Sequence, residues 1–195
     1  MKKLIFTLVV TLGVFASAAA QDGGRMWIGG NVGFEHTKSS IGDFEEKSTS
    51  FSILPEFGYF FTDNFALAGR LGYEHSKVEG YDEDGDPAEA KTNAFVINPF
   101  VRYTFLKGSI GGLFVDGGVT AKFGKAYDEN LFSIGVGITP GATINIGNGF
   151  ALTAAFGFFG YTHEEIKFEP EKLKTDDMKF GFNFNKTTVG VLYSF

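Results

Sequence analysis

The chain has 195 residues, 17 Lys and Arg against 23 Asp and Glu for a net charge of −6, and no cysteine. The acidic balance argues against nucleic acid as a partner, and without cysteine there is no disulfide framework and no thiolate metal site. Hydrophobic residues make up 44%, with 24 Phe beside 27 Gly, yet they come alternately rather than in blocks, and nothing after the N-terminus reads as a membrane helix.

Residues 1–20 open with Lys2-Lys3, run through an apolar stretch from Leu4 to Phe15 and reach Ala18-Ala19-Ala20. A charged start, a short apolar middle and small residues at the end mark a cleaved signal peptide; the apolar run falls short of the about 20 residues that span a bilayer. Cleavage is expected after Ala20, which leaves residues 21–195 as a single domain. The first strand is expected over 27–36, with Ile28, Val32 and Phe34 on one face and Gly29, Asn31, Gly33 and Glu35 on the other. A polar loop follows, 37–48. The second and third strands, 50–61 and 65–75, form a hairpin about Thr62-Asp63-Asn64. One face of that hairpin carries Phe57, Tyr59, Phe61, Phe65, Leu67 and Tyr73; the other carries Glu56, Gly58, Ala66, Ala68, Arg70 and Gly72. A wide apolar side thus opposes a narrow side of small and charged residues, the reverse of a soluble sheet packing a bulky core.

The acidic stretch 76–91 is a solvated loop. The fourth strand, 93–105, sets Phe95, Ile97, Val101, Tyr103 and Phe105 against Asn98, Phe100, Arg102 and Thr104. The fifth, 112–124, sets Leu113, Val115, Val119 and Phe123 against Phe114, Asp116, Gly118, Thr120 and Lys122. After a loop at 125–130 come the sixth, 131–146, and the seventh, 150–161, the latter with Phe150, Leu152, Phe156 and Phe158 outside. A charged loop, 162–179, leads to the last strand, in which Phe180, Phe182 and Phe184 have the opposite parity from Val189, Val191, Tyr193 and Phe195. That strand therefore has a bulge or begins near Asn185. The repeated Ile-x-Pro at Pro55, Pro99 and Pro140 suggests a local bulge in three strands at similar height.

Eight strands, short turns alternating with longer polar loops, and this asymmetry of faces define an all-β, eight-stranded antiparallel up-and-down transmembrane β-barrel. Strands of about 10 residues tilted at about 45° cross the hydrocarbon, and closure satisfies the backbone groups that lipid cannot. Aromatic residues collect at the two interfaces: Tyr59, Phe61, Phe65, Tyr103, Phe105, Phe150, Tyr193 and Phe195 toward the turns, and Phe34, Tyr73, Phe95, Phe123, Phe132 and Phe158 toward the loops.

The final residues, with Thr188, Gly190, Tyr193 and Phe195, resemble the C-terminal assembly signal that the barrel-insertion machinery reads. The whole mature chain resembles the small outer-membrane β-barrel family of OmpA/OmpX type. The resemblance implies a place in the outer membrane of a Gram-negative cell, turns and termini in the periplasm, four loops outside, and lipid and lipopolysaccharide as surroundings. No cofactor is implied, and a monomer is expected.

Ionisable residues expected inside are Glu35, Glu56, Glu74 and Asp116 against Arg70, Arg102 and Lys122. If Phe61 pairs with Phe65, Glu56 faces Arg70; if Lys107 pairs with Gly111, Arg102 faces Asp116. Such residues form an ion-pair ladder that fills the lumen, since eight strands leave room for little more than side chains; the alternative is a narrow ion or proton path, as in a minor porin. His36, His75 and His163 lie near loop-side strand ends, and His75-Ser76 or His163-Glu164-Glu165 would suit a lipid-modifying hydrolase, but nothing fixes their spacing. Asp82, Asp84 and Asp86 suggest calcium, yet Pro87 and Asn93 stand where an EF-hand loop needs glycine and glutamate. No metal site is expected. A soluble lipocalin-like carrier would need the bulky face turned inward. The reading reached is a non-enzymatic barrel with a structural, membrane-integrity or surface-interaction role, whose loops meet lipopolysaccharide or an extracellular partner.

Overall fold

The computed structural model describes residues 26–41, 44–81, 87–127, 129–167, 172–181 and 187–195; the expected signal peptide, the Asp82-Asp84-Asp86 group, Phe182 and Phe184 lie outside them. Ten strands follow in order: β1 (Met26–Ile41), β2 (Phe44–Phe60), β3 (Phe65–Tyr81), β4 (Pro87–Lys107), β5 (Gly111–Ala126), β6 (Glu129–Gly147), β7 (Phe150–Ala155), β8 (Phe158–Lys167), β9 (Lys172–Gly181) and β10 (Thr188–Ser194). Each pairs antiparallel with its neighbours. β7 and β8 lie end to end along β6, and β10 and β9 continue the wall beside them. Each pair is thus one stave in two pieces. β1 and β10 close the ring from Trp27↔Ser194 to Gly33↔Thr188, so the wall is a closed eight-stranded antiparallel barrel.

The break in the seventh stave has a local cause. Between the pairs Gly141↔Ala155 and Ile138↔Phe159, three residues on one strand oppose two on the other. Gly157 takes a φ of +81° there, a conformation glycine adopts freely. One extra residue flips every later side chain to the other face. Ala151, Thr153 and Ala155 are buried on the lumen side, and beyond the bulge the even-numbered residues face inward. Phe158, expected outside, therefore points in, its ring against Gly137 and Gly160.

Of the three proline strands, only Pro140 stands opposite a bulge. At Pro55 the β2–β3 ladder skips from Ile53↔Tyr73 to Glu56↔Arg70, and at Pro99 the β4–β5 ladder skips from Ile97↔Ala121 to Phe100↔Gly118, both without a change of register. The missing proline N–H breaks the ladder but inserts nothing. Opposite Pro99 the freed carbonyl of Val119 accepts a hydrogen bond from Asn98 Nδ2 at 3.0 Å, as a backbone acceptor at membrane depth must be satisfied from within the protein. A second bulge, at Phe105, shifts the β4–β5 register so that Lys107 pairs with Gly112 and not with Gly111; Arg102 still faces Asp116, because that pair lies before the shift.

Most of the expected loops are strand. The β1–β2 ladder runs on to Ile41↔Phe44, β3–β4 to Tyr81↔Pro87, and β8–β9 to Lys167↔Lys172. Beyond the bilayer both faces of these hairpins meet water, so the alternation that reveals a membrane strand is lost there. Ion pairs join the β3–β4 hairpin instead: Lys77 Nζ lies 2.6 Å from both Glu79 and Glu89, and Lys91 Nζ lies 2.5 Å from Glu89. Hydrogen bonds from Lys77 first, then Lys91, hold the Glu89 carboxyl below its ordinary range.

The outside is apolar at the middle and aromatic at both rims. Phe61, Phe65, Tyr103 and Phe105 form a chain of ring contacts at the turn side, with Phe65 and Tyr103 centroids 4.6 Å apart, and Phe150, Tyr193 and Phe195 form another. At the loop side Tyr73, Phe95, Phe123 and Phe132 are successive cross-strand partners. Inside, glycine makes room for bulk. A Cβ on Gly58 would fall 2.1 Å from the Trp27 ring. Gly58→Val should therefore cost about 1–3 kcal/mol by overpacking, read as a lower urea midpoint of the folded barrel in micelles, whereas Gly69→Ala, whose Cβ would meet nothing within 4 Å, should leave the midpoint in place.

Candidate functional site in the barrel lumen

Four charged side chains meet in the turn-side half of the lumen. Their positions follow from strand parity and register: Glu56 on β2 is paired with Arg70 on β3, and Arg102 on β4 with Asp116 on β5. Arg70 Nε donates to Glu56 Oε2 at 2.6 Å, and Arg102 donates to both oxygens of Asp116, from Nε at 2.7 Å and from Nη2 at 2.9 Å. The two pairs are also joined to each other. Arg70 Nη2 donates to Asp116 Oδ2 at 2.5 Å, and Arg102 Nη2 lies 3.3 Å from Glu56 Oε1. Two carboxylates and two guanidinium groups thus make one closed, neutral quartet.

Three of the four are almost dry, with Glu56 2%, Asp116 3% and Arg102 4% exposed, and the Arg70 side chain is 13% exposed. Charges taken out of water in this way are tolerated only when their hydrogen-bonding capacity is met. Trp27 Nε1 donates to Glu56 Oε1 at 2.9 Å and Asn31 Nδ2 donates to Oε2 at 3.0 Å, both from β1. Arg70 Nη1 donates to Asn98 Oδ1 at 3.2 Å. Among the described residues no buried side-chain nitrogen or oxygen lacks a partner. Aromatic faces cover the cations: the Phe100 ring centroid lies 4.0 Å from Arg70 Cζ and that of Phe114 3.9 Å from Arg102 Cζ. Below them Trp27, Phe60, Ala66, Ala68, Phe100 and Leu192 close the turn-side end as an apolar cluster.

The remaining inward charges stand apart, nearer the loops. Lys122 Nζ lies 2.8 Å from both oxygens of Glu74, each side chain about one-third exposed. Ser50 Oγ donates to Glu35 at 3.5 Å. These four line a cavity of about 210 Å3 with Gly33, Ser52 and Thr188. Across the lumen Ala94, Ala126, Leu131 and Ile166 form a second apolar cluster. The inward charges therefore divide into a buried quartet and a partly exposed pair with Glu35 beside it.

The three histidines face outward instead. His36 Nδ1 is 2.9 Å from Thr49 Oγ1, His75 Nδ1 is 2.8 Å from Asn93 Oδ1, and His163 Nδ1 is 2.7 Å from Asp176 Oδ1, which also accepts the Tyr161 hydroxyl. Adjacent residues of a strand point to opposite faces, so Ser76 is turned away from His75, and Glu164 from His163. The terminal residues Thr188, Gly190 and Tyr193 pair with both β1 and β7, and the Phe195 backbone bonds reciprocally with Met26. They stitch the seam that closes the barrel.

Sequence reading placed Asn31 inward but overlooked Trp27, which sits two residues before Gly29 on the lumen face. A tryptophan on a face otherwise made of small residues was the available signal. The cross-links between the two ion pairs had no signal, because they depend on how far each guanidinium reaches across the lumen.

A closed barrel with an apolar, aromatic-rimmed outside and a charged inside is an integral outer-membrane barrel. The chain belongs to the outer membrane protein beta-barrel domain family, whose model matches residues 6–195, and its place is the outer membrane. A search of curated proteins found no match. Among solved structures it is similar to Neisserial surface protein A, with 16% identity over 87% of this chain and 97% of that one and a TM-score of 0.50. It is similar also to OprG from Pseudomonas aeruginosa, with 15% identity, coverage of 88% and 92%, and a TM-score of 0.54. Outer Membrane Protein W from E. coli gives 12%, 88% and 98%, and 0.52. At these identities the likeness is one of fold.

Removing one member of the quartet should cost far more than a surface ion pair. Asp116→Ala strands Arg102 and half of Arg70 among aromatic rings, and should destabilise the barrel by about 3–5 kcal/mol. Replacing the pair together, Arg102→Met with Asp116→Leu, should cost less. Urea unfolding of both variants in lipid vesicles checks the order.

Proposed function

We propose that this protein is a sealed outer-membrane barrel that works through its outside, as a structural, membrane-integrity or surface-interaction protein, and not through its lumen or by catalysis. The observation that carries this reading is the quartet. Every carboxylate oxygen in it already holds a donor, and the rings of Trp27, Phe100 and Phe114 pack beside it. Glu56 and Asp116, each held by guanidinium donors, are poorly suited to serve as a general base. The hairpins at 37–48, 76–91, 125–130 and 162–179 then become the surfaces that meet lipopolysaccharide or an extracellular partner, from a monomeric barrel. The insertion machinery would read Thr188, Gly190, Tyr193 and Phe195 before the seam closes.

One observation favours a second reading. The cavity beside Glu35, Glu74 and Lys122 is a polar vestibule, as the outer half of a narrow pore would be. The two part on single-channel conductance of the refolded mature protein in a planar bilayer. The sealed reading expects silence from protein shown to be folded, and from an Arg102→Met, Asp116→Leu variant as well. Steady, reproducible openings would make the inward charges the site of a minor channel.

A further inference from the structure

On the outer wall, one step beyond the loop-side aromatic row Tyr73, Phe95, Phe123 and Phe132, the next outward residues on the same strands form a second row. His75 pairs with Asn93, Asn93 with Lys125, Lys125 with Asn130, and Asn130 with Lys167. Strands lie about 4.8 Å apart, so this row runs for about 19 Å across five strands, with the backbones of its two lysines about 10 Å apart. Lys125, Asn130 and Lys167 are exposed. Asn93 is fixed in place, its Oδ1 accepting the Tyr73 hydroxyl at 2.5 Å and meeting His75 Nδ1 at 2.8 Å.

The lysines of this row differ from those beyond it. Lys77 and Lys91, farther out on the β3–β4 hairpin, are neutralised by Glu79 and Glu89. Lys125 and Lys167 have no carboxylate within ion-pair distance among the described residues. In a chain of net charge −6, two cations without a carboxylate partner among the described residues, at one level directly above an aromatic belt, are a local patch of positive charge. The belt sets the depth, since such rings sit at the headgroup level. Cations one residue pair beyond it stand where lipid phosphates lie.

We propose that the row His75, Asn93, Lys125, Asn130 and Lys167 is a headgroup site for lipopolysaccharide in the outer leaflet. The two lysines hold phosphates on the sugar headgroup, the carboxamides of Asn93 and Asn130 hydrogen-bond its hydroxyls, and the rings of Tyr73, Phe95, Phe123 and Phe132 lie against its acyl chains. A headgroup with more than one phosphate and many hydroxyls matches a row this wide. A phospholipid headgroup, with one phosphate, would engage only one end. This deepens the surface role proposed above and rests on the outside being the working surface; it is independent of whether the lumen conducts.

The test is binding of lipopolysaccharide and, separately, of phosphatidylglycerol to the immobilised full-length folded barrel in detergent, with EDTA present to remove bridging cations. Folding of each variant is verified by heat-modifiable gel migration. Wild type should prefer lipopolysaccharide, and Lys125→Gln with Lys167→Gln should weaken that binding roughly tenfold or more. Lys125→Arg with Lys167→Arg should restore it, and Lys77→Gln with Lys91→Gln should leave it unchanged. Should the double glutamine variant fail to fold, Lys167→Gln alone carries the same test at a smaller loss. Unchanged binding in the glutamine variant would overturn the proposal. So would an equal loss in the Lys77 and Lys91 variant, which would mean diffuse charge attraction, or equal affinity for phosphatidylglycerol, which would mean a general anionic-lipid surface. Bilayer conductance, silent or not, would bear on the sealed-lumen reading and leave this result standing.

Discussion

Two carboxylates and two guanidinium groups, nearly out of reach of water, tie the inside of this barrel together. Glu56 takes donors from β1, β3 and β4, and Asp116 from β3 and β4, so one connected network spans five consecutive staves. Its members cannot be lost singly without leaving a buried charge exposed to nothing but rings, at about 3–5 kcal/mol. The wall is held by backbone hydrogen bonds that lipid forces to close on themselves; the network adds side-chain links between staves from within. Neutrality matters as much as number, because two acids balanced by two bases present no net charge to the low-dielectric membrane around them.

Volume is the second constraint. Eight strands enclose little space, and Trp27, Phe100 and Phe114 fit because Gly58, Gly118 and Gly141 stand beside them; a Cβ on any of these would fall within 2.6 Å of one of those side chains. Large and small residues alternate around the lumen for this reason. The reverse holds outside, where bulk meets lipid and costs nothing to accommodate. The prolines belong to the outward face as well. Each lacks one donor, and opposite Pro99 the structure compensates locally, with Asn98 Nδ2 donating to the Val119 carbonyl.

Much of this was legible because the membrane writes a period of two into the chain. Wherever one face meets lipid and the other the lumen, residues such as Ile97 and Asn98 declare their sides. The pairing of Glu56 with Arg70 followed from a short turn, which fixes register. Three things were not legible. The bulge at Gly157 changes parity by one residue, and Phe158 is as plausible outside as inside until the count is known. The hairpins beyond the bilayer have water on both sides, so their strands read as loops. The joining of two ion pairs into a quartet needs the curvature of the wall, which brings Arg70 to Asp116 across a strand that lies between them.

Trp27 is the single tryptophan in the chain, buried to 1% exposure with its indole N–H on Glu56. It reports on the seal without a mutation. Hydrogen exchange of that indole, followed by NMR of the folded barrel in lipid, is the most direct measurement. A sealed lumen requires exchange slowed by orders of magnitude relative to a free indole. Exchange at the solvent rate in a folded barrel would mean water reaches Glu56, and the quartet would then be a wet constriction and not a plug.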